Sequence, residues 1–218
     1  MNANKLRRIL FSLAGVIIIG LAVGLMRIAD LGTDSFSTFN LGLSGFFNIQ
    51  FGTYMIFSNA IGLILVFFTA RHLIGIGTAF NIVLVGYVSD FTVYLIDTYV
   101  GDISSFWLRL LVSAFGIIVL AFGAVVYIVA EQGVAPYDAL PIIIEDKSNG
   151  RISFQTARVL SDILCIAIGF FFSATVGITT VIAAFFMGPI MQVFRTRLTA
   201  VMASLEENDR PEIGNSHI

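Results

Sequence analysis

The fifth apolar stretch of this chain carries two oppositely charged side chains four residues apart, Arg158 and Asp162. On an α-helix that spacing places both on one face, where they can form an ion pair. Ionisable side chains inside a bilayer are costly unless they are paired or hydrated, so they are candidates for function. Asn59 lies at a depth in the second stretch comparable to that of Asp162. We therefore predict a buried polar centre, which is either a structural ion pair that fixes helix packing or a contact for a solute or proton.

Two short segments after the first and fourth apolar stretches resemble helix starts. Thr33-Asp34-Ser35 offers capping side chains, and Ala135-Pro136-Tyr137-Asp138 places proline in a first turn. If these short helices re-enter the membrane, their N-terminal amides present a positive end that suits an anion. If they lie flat at the two interfaces, they are amphipathic connectors with Phe36, Phe39 and Phe46 in lipid, and this arrangement is favoured. Asp34, Tyr137 and Asp138 join the candidate binding residues.

Acidic side chains also stand at the ends of apolar stretches. Asp30 and Glu131 follow the first and fourth stretches, where they are either gate-like mirror images or solvated helix ends. Asp90 lies in the third stretch, within reach of Arg27 or Arg109 if those helices adjoin. We expect a charge pair there that holds one end of the molecule together.

The elements that position these residues are membrane helices. Hydrophobic residues make up 57% of the chain and charged residues 12%, about half the charged share of a soluble domain. A spanning helix needs about 20 mostly apolar residues, and six segments qualify: 9–29, 53–70, 73–96, 106–130, 153–173 and 175–194. We therefore predict an all-α membrane protein with one transmembrane domain, residues 1–198. The polar tail, residues 199–218, is predicted to be disordered and cytoplasmic.

Orientation follows from the positions of Lys and Arg. With the N-terminus inside, eight basic residues lie at the inner ends: Lys5, Arg7, Arg8, Arg71, Lys147, Arg151, Arg195 and Arg197. Only Arg109, with Arg27 at a helix end, lies outside. Both termini are therefore predicted to be cytoplasmic.

The two halves of the chain match each other at a nearly constant offset. Ala29-Asp30-Leu31-Gly32 corresponds to Ala130-Glu131-Gln132-Gly133, Gly75-Ile76-Gly77-Thr78 to Gly177-Ile178-Thr179-Thr180, and Gly86 to Gly188. Each half, about 9–96 and about 106–195, contains three spans. Because three is odd, the second copy begins on the opposite face, which predicts a 3+3 inverted-topology repeat. Transporters often use this plan, with sites near the midplane at the repeat interface.

With these motifs in view, the chain resembles the YczE/YyaS/YitT group of bacterial membrane proteins. The residues that carry the resemblance are Leu31-Gly32-Thr33-Asp34-Ser35-Phe36, Gly75-Ile76-Gly77-Thr78 with Asn81, and Gly133-Val134-Ala135-Pro136-Tyr137-Asp138. Ser35 in the first motif stands where the second has Pro136. The resemblance implies a multi-pass protein of a prokaryotic plasma membrane, and it implies no reaction.

Three functions are compatible with these features. The favoured hypothesis is a secondary transporter or permease for a small polar or anionic solute, coupled to a proton or ion. The alternative is a non-transporting accessory or regulatory protein of a partner complex, and the third is a channel. We find no Walker loop, His-Glu-x-x-His or Gly-x-Ser-x-Gly motif, so we expect no enzyme. We also expect no metal, no cofactor and no nucleic acid, and as partners the lipid bilayer and either a homo-oligomer or a membrane protein.

Overall fold

The fold is entirely helical over residues 3–208, which are the residues that the computed structural model describes. One 3-10 turn, Arg71–Leu73, precedes the fourth helix. The α-helices are α1 (Ala3–Ala29), α2 (Ser35–Phe46), α3 (Phe51–Thr69), α4 (Ile76–Tyr99), α5 (Phe106–Val129), α6 (Pro136–Lys147), α7 (Phe154–Phe171) and α8 (Ile178–Asn208).

Six of these helices are long and apolar enough to cross a membrane: α1, α3, α4, α5, α7 and α8. This confirms the predicted six spans. The two remaining helices, α2 and α6, have 12 residues each and follow the first and fourth spans, as predicted. The protein is therefore an all-α membrane protein with eight described helices.

The last helix is longer than the sequence suggests. We predicted that the chain becomes a disordered tail after residue 198, but α8 continues to Asn208. Residues 199–208 are therefore helical, and that part of the prediction is wrong. Residues in this stretch, such as Ala200 and Met202, favour helix continuation even though the mean polarity rises. The rest of the predicted tail, 209–218, lies outside the described residues.

Helices α1 and α5 run side by side through the centre of the molecule. Glycines let their backbones approach closely: Gly15 lies against Gly123 and Tyr127, and Gly116 lies against Met26. Small residues at crossing points are the usual way for membrane helices to gain van der Waals contact. This pair forms the frame on which the other helices are arranged.

The two ends of the molecule are identified by ion pairs between α1 and α5. Arg8, near the start of α1, pairs with Glu131, just after α5. Arg109, near the start of α5, pairs with Asp30, just after α1. The two helices are therefore antiparallel. We call the end that contains Arg8 and Glu131 the N-terminal face, and the end that contains Arg109 and Asp30 the opposite face.

Each short helix begins inside the helix bundle and ends at a face. In their first turns, Phe36 of α2 stacks on Tyr137 of α6 with ring centroids 4.6 Å apart. The last residue of α2, Phe46, contacts Phe172 at the end of α7, whereas Glu145 near the end of α6 accepts a hydrogen bond from Phe154 N at the start of α7. Twelve residues rise about 18 Å, roughly half of the hydrocarbon thickness. These contacts favour re-entry over the flat arrangement, because Phe36 packs on protein rather than lipid.

Gly86 and Gly188 correspond to each other in the sequence alignment of the two halves, but their surroundings differ. Gly86 of α4 lies against the backbone of Gly52 in α3, so these helices touch along their backbones. No atom lies within 4 Å of the position that a Cβ on Gly188 would occupy. Among the described residues, α7 and α8 do not pack on each other as α3 and α4 do.

We predict that Gly86→Ala destabilises the protein and Gly188→Ala does not. A methyl group on Gly86 meets the Gly52 backbone, which cannot rotate away, and overpacking of this kind costs about 1 to 3 kcal/mol. A methyl group on Gly188 meets open space and adds helix propensity. The free energy of unfolding of both variants in detergent micelles checks this. Equal stability of Gly86→Ala and wild type would contradict the close backbone packing.

Candidate functional site

A cluster of ionised and aromatic side chains lies where α6 meets the middle of α7. The Arg158 guanidinium contacts Asp138 Oδ1 at 2.5 Å through Nη1 and Asp162 Oδ2 at 3.4 Å through Nε. The Tyr137 hydroxyl donates to Asp162 Oδ1 at 2.5 Å. The predicted Arg158–Asp162 pair is therefore confirmed, and Asp138 is the nearer partner of Arg158. We call Tyr137, Asp138, Arg158 and Asp162 the junction cluster.

Local sequence explains why these side chains meet. Pro136 occupies the first position of α6, where its fixed φ favours helix and its missing N–H removes no hydrogen bond. Tyr137 and Asp138 therefore lie in the first turn, where a carboxylate is stabilised by the helix dipole. The Arg158 guanidinium lies 4.9 Å from the centroid of the Tyr137 ring, a cation–π contact in addition to the ion pairs.

Asp34 lies at the N-cap of α2 and interacts electrostatically with Asp162 and Arg158. Its Oδ1 accepts a hydrogen bond from Ser37 N at 3.1 Å, whereas its buried Oδ2 has no hydrogen-bond partner. Asp34 is in the connection between helices, outside the six spans. Burial raises the pKa of its carboxyl, and the hydrogen bonds with Ser37 offset part of that rise.

Asn59 does not join the junction cluster through a hydrogen bond. It is 1% exposed, its Nδ2 donates to Met55 O at 2.9 Å, and its Oδ1 has no hydrogen-bond partner among the described residues. Its predicted membership of one polar centre with Asp162 stays a prediction, because the amide turns back onto its own helix. Asn59 remains a buried polar group in α3 with one unused acceptor.

Sequence reasoning missed Asn40, which joins α2 to α3. The Asn40 Oδ1 accepts from Ser58 Oγ at 2.5 Å, and its Nδ2 donates to Phe36 O at 2.7 Å. It is fully buried. The carboxamide side chain within a short, mostly uncharged helix was the available signal, since a buried amide needs hydrogen-bond partners.

A second ion pair fixes the opposite face. Arg27 Nη1 contacts Asp90 Oδ1 at 2.7 Å and donates to Ser89 Oγ at 2.9 Å. The other Asp90 oxygen accepts from Gly52 N at 2.7 Å. Asp90 therefore connects α1, α3 and α4. The predicted charge pair is confirmed, and of the two candidate partners, Arg27 and Arg109, the structure selects Arg27.

Asp30 and Glu131 are ion-paired rather than merely solvated. Asp30 contacts Arg109 at 3.0 Å and accepts from Thr175 Oγ1 at 2.9 Å, and Glu131 contacts Arg8 at 2.6 Å. Both acids adopt left-handed backbone, with φ of 45° and 51°, and thereby end their helices. Their predicted role as gates stays a prediction.

A cavity opens at each face beside one of these acids. The cavity on the opposite face, about 430 Å³, includes Asp30, Gly32 and Thr33 in its lining. The cavity on the N-terminal face, about 370 Å³, includes Glu131, Arg8 and Arg195. Thr33 directly precedes Asp34, the N-cap of α2, so the first cavity reaches the start of α2.

The junction cluster has no metal-binding composition. Within residues 3–208, no group of three or more His, Cys, Asp and Glu side chains is placed to hold a metal ion. The chemistry that the site offers is therefore charge pairing, hydrogen bonding and aromatic contact.

We predict that Arg158 and Asp138 are energetically coupled. Arg158→Gln leaves two carboxylates without their cation, so the double variant Arg158→Gln/Asp138→Asn should lose less stability than the two single variants lose in sum. We expect a coupling free energy of about 1 to 2 kcal/mol in a double-mutant cycle, measured by unfolding in detergent micelles. The control is the double-mutant cycle of Arg8→Gln and Glu131→Gln. Because the Glu131 side chain is mostly exposed, we expect a coupling free energy below about 1 kcal/mol for this pair. Additive effects at Arg158 and Asp138 would contradict the bridge.

Comparison with known proteins places this site in a family context. A profile described as a family of unknown function (DUF6198) matches residues 6–196. The chain is 28% identical over 199 residues to the uncharacterized membrane protein YczE of Bacillus subtilis (strain 168), covering 88% of this chain and 87% of that protein. It is 26% identical over 183 residues to the uncharacterized protein YyaS of the same organism, covering 83% and 88%.

The predicted resemblance to the YczE and YyaS group is thus confirmed. No solved structure matches the chain. The family match extends from the first turns of α1 into α8 and includes both short helices, α2 and α6. The chain belongs to the DUF6198 family of membrane proteins.

Proposed function

We propose that this protein is a secondary transporter for a small polar solute, built as a 3+3 inverted-topology repeat. It binds the solute at the junction cluster and releases it unchanged, without catalysing a reaction. The single observation that carries the proposal is the meeting of the first turns of α2 and α6 at an ion-paired centre on α7. Discontinuous or short helices that start at mid-depth form the solute sites of many inverted-repeat transporters.

Reciprocal ion pairs support the inverted repeat. Arg8 and Arg109 are 101 residues apart, and so are Asp30 and Glu131. Arg8 pairs with Glu131, while Arg109 pairs with Asp30. Each half therefore offers its arginine to the acid of the other half, which is the pattern expected for contacts across a two-fold axis.

Backbone contacts follow the same reciprocity. Gly77 N donates to Gln132 O at 2.7 Å, and Thr179 N donates to Leu31 O at 3.0 Å. Thr179 corresponds to Gly77, and Gln132 corresponds to Leu31, in the sequence alignment of the halves. The two contacts lie at the starts of α4 and α8 and tie each helix to the re-entrant segment of the other half.

The differences between the halves also favour transport. In the first half α3 packs on α4, whereas in the second α7 and α8 do not pack in the same way. In an inverted repeat, exchanging the conformations of the halves exposes the central site to the other face. The close packing of Gly52 on Gly86 and the open space at Gly188 give the two halves different packing at corresponding positions.

The orientation completes the proposal. The basic residues concentrate at the N-terminal face, which we assign to the cytoplasm under the positive-inside rule. The membrane is accordingly the plasma membrane of a prokaryote. The cavity beside Glu131 is then the cytoplasmic vestibule, and the cavity beside Asp30 is the external one.

An accessory role in a membrane complex is the second candidate function. Arg158 and Asp138 side chains are 35% and 39% exposed, and α7 is the least buried of the six spans. Charges exposed at that depth need either water or another protein chain, because lipid does not stabilise them. A stoichiometric cross-linked partner, with no uptake by the purified protein, favours this role.

Transport is tested by uptake into proteoliposomes that contain the purified protein. We expect saturable uptake of at least one of methylammonium, acetate, inorganic phosphate and urea, driven by a solute or pH gradient. Asp162→Asn is expected to reduce that uptake at least about tenfold, since a hydrogen bond to a charged group contributes about 1.5 to 3 kcal/mol.

Asp146→Asn is the matched control, because Asp146 is exposed at the end of α6. Its uptake should equal that of wild type. Unchanged uptake by Asp162→Asn would place the solute elsewhere. Single-channel currents, or no uptake of any solute by folded protein, would contradict a transporter.

A further inference from the structure

The centre of the molecule has more negative than positive side chains. Asp34, Asp138 and Asp162 supply three carboxyl groups, and Arg158 supplies one guanidinium. Asp34 belongs to this group because Phe36, two residues after it, stacks on Tyr137 with ring centroids 4.6 Å apart. In a medium of low dielectric, such an imbalance attracts cations and repels anions.

In this structure two of the carboxylates already bind a guanidinium group of the chain itself. The Arg158 guanidinium bridges Asp138 and Asp162 and lies over the face of Tyr137. Paired carboxylates with an aromatic face are the arrangement that recognises organic cations. Arg158 is half-buried, and it is attached by a long flexible side chain that can leave the carboxylates to another cation.

Asp34 provides an independent indication of a missing ligand. Its Oδ2 is buried and has no hydrogen-bond partner among the described residues. A buried acceptor without a partner is destabilising, and a cationic donor placed beside it removes that cost. The Asn59 Oδ1 is a further buried acceptor without a partner, on the helix that packs against α2 and α6.

The helix starts do not favour an anion, which the sequence left open for the case that the short helices re-enter the membrane. The N-terminal end of α2 is capped by the Asp34 carboxyl, and the first turn of α6 contains Asp138. Both positive helix ends therefore already face carboxyl groups of the chain itself. An anion in this position would compete with them rather than complete the site.

We propose that the central site binds a small organic cation, with a primary ammonium or guanidinium group, between Asp34 and Asp162. The cation takes the unused acceptor of Asp34 and competes with Arg158 for Asp162, while Phe36 and Tyr137 form an aromatic wall. This rests on the proposed function only for the claim that the ligand is carried across the membrane. Binding itself is independent of transport.

Equilibrium binding to the purified protein in detergent tests the assignment. The probes are radiolabelled methylammonium and methylguanidinium, with acetate and inorganic phosphate as anions. We expect saturable binding of at least one cation and none of the anions. Asp34→Asn should weaken cation binding at least about tenfold by the loss of a charged hydrogen bond, while Asp146→Asn binds as wild type.

The Asp34→Asn variant removes the charge of the side chain and leaves the fold intact, so it tests the charge alone. Asparagine is as good an N-cap as aspartate, so the hydrogen bond to Ser37 N is kept and the thermal unfolding midpoint should stay near that of wild type. If the midpoint falls strongly, Asp162→Asn provides the second variant, because it removes the charge from the opposite side of the site.

The outcomes distinguish this inference from the transport proposal. Cation binding that depends on Asp34, without uptake into vesicles, supports the cation site and contradicts transport. Uptake of acetate or phosphate that depends on Asp162 supports transport and overturns the cation site. Folded protein that binds neither cation, or that binds only Na⁺, overturns the inference. So does cation binding that is unchanged in both Asp34→Asn and Asp162→Asn.

Discussion

The bridge that Arg158 forms between Asp138 and Asp162 is the interaction on which the centre of the molecule depends. It connects the first turn of α6 to the middle of α7. Removing one partner leaves the others charged in a largely apolar surrounding, which is far more costly than never having placed charges there. The bridge also orients Tyr137, whose hydroxyl bonds to Asp162 and whose ring supports both Phe36 and the guanidinium.

The loops that precede α2 and α6 impose a second constraint, because non-helical backbone buried among apolar helices needs internal hydrogen-bond partners. Leu31 O and Gln132 O find those partners in the amides of Thr179 and Gly77. The turns themselves use Gly32 and Gly133, whose φ values of 98° and 109° exclude most side chains. Hydrogen bonds between these backbones thus replace the hydrogen bonds that water would supply.

The packing of the halves differs where the proposed repeat would make them equal. Asp90 ties α4 to α1 and α3, and Gly86 lies against Gly52. Around Gly188 the corresponding contact is absent from the described residues. Two similar halves in different packing arrangements are what an alternating-access mechanism requires. Membership of a family of unknown function supplies no such mechanism, so the proposed function depends on this geometry and on the junction cluster.

The sequence by itself determined the membrane class, the six spans and the Arg158–Asp162 pair. Apolar length and i, i+4 spacing are local properties, so they are visible without a fold. The sequence also indicated where the short helices begin, because Asp34 caps the first turn of α2 and Pro136 lies in the first turn of α6. It misjudged the end of α8, where mean polarity was a poorer guide than helix propensity.

Which distant groups meet depends on the packing of the helices. This packing placed Phe36 on Tyr137 and gave Arg158 a nearer partner in Asp138. It also left one oxygen of Asp34 buried without a hydrogen-bond partner among the described residues. The first two contacts join residues on different helices, and their geometry follows from how the helices pack. No local pattern encodes that packing, because the same apolar surfaces fit against one another in more than one way.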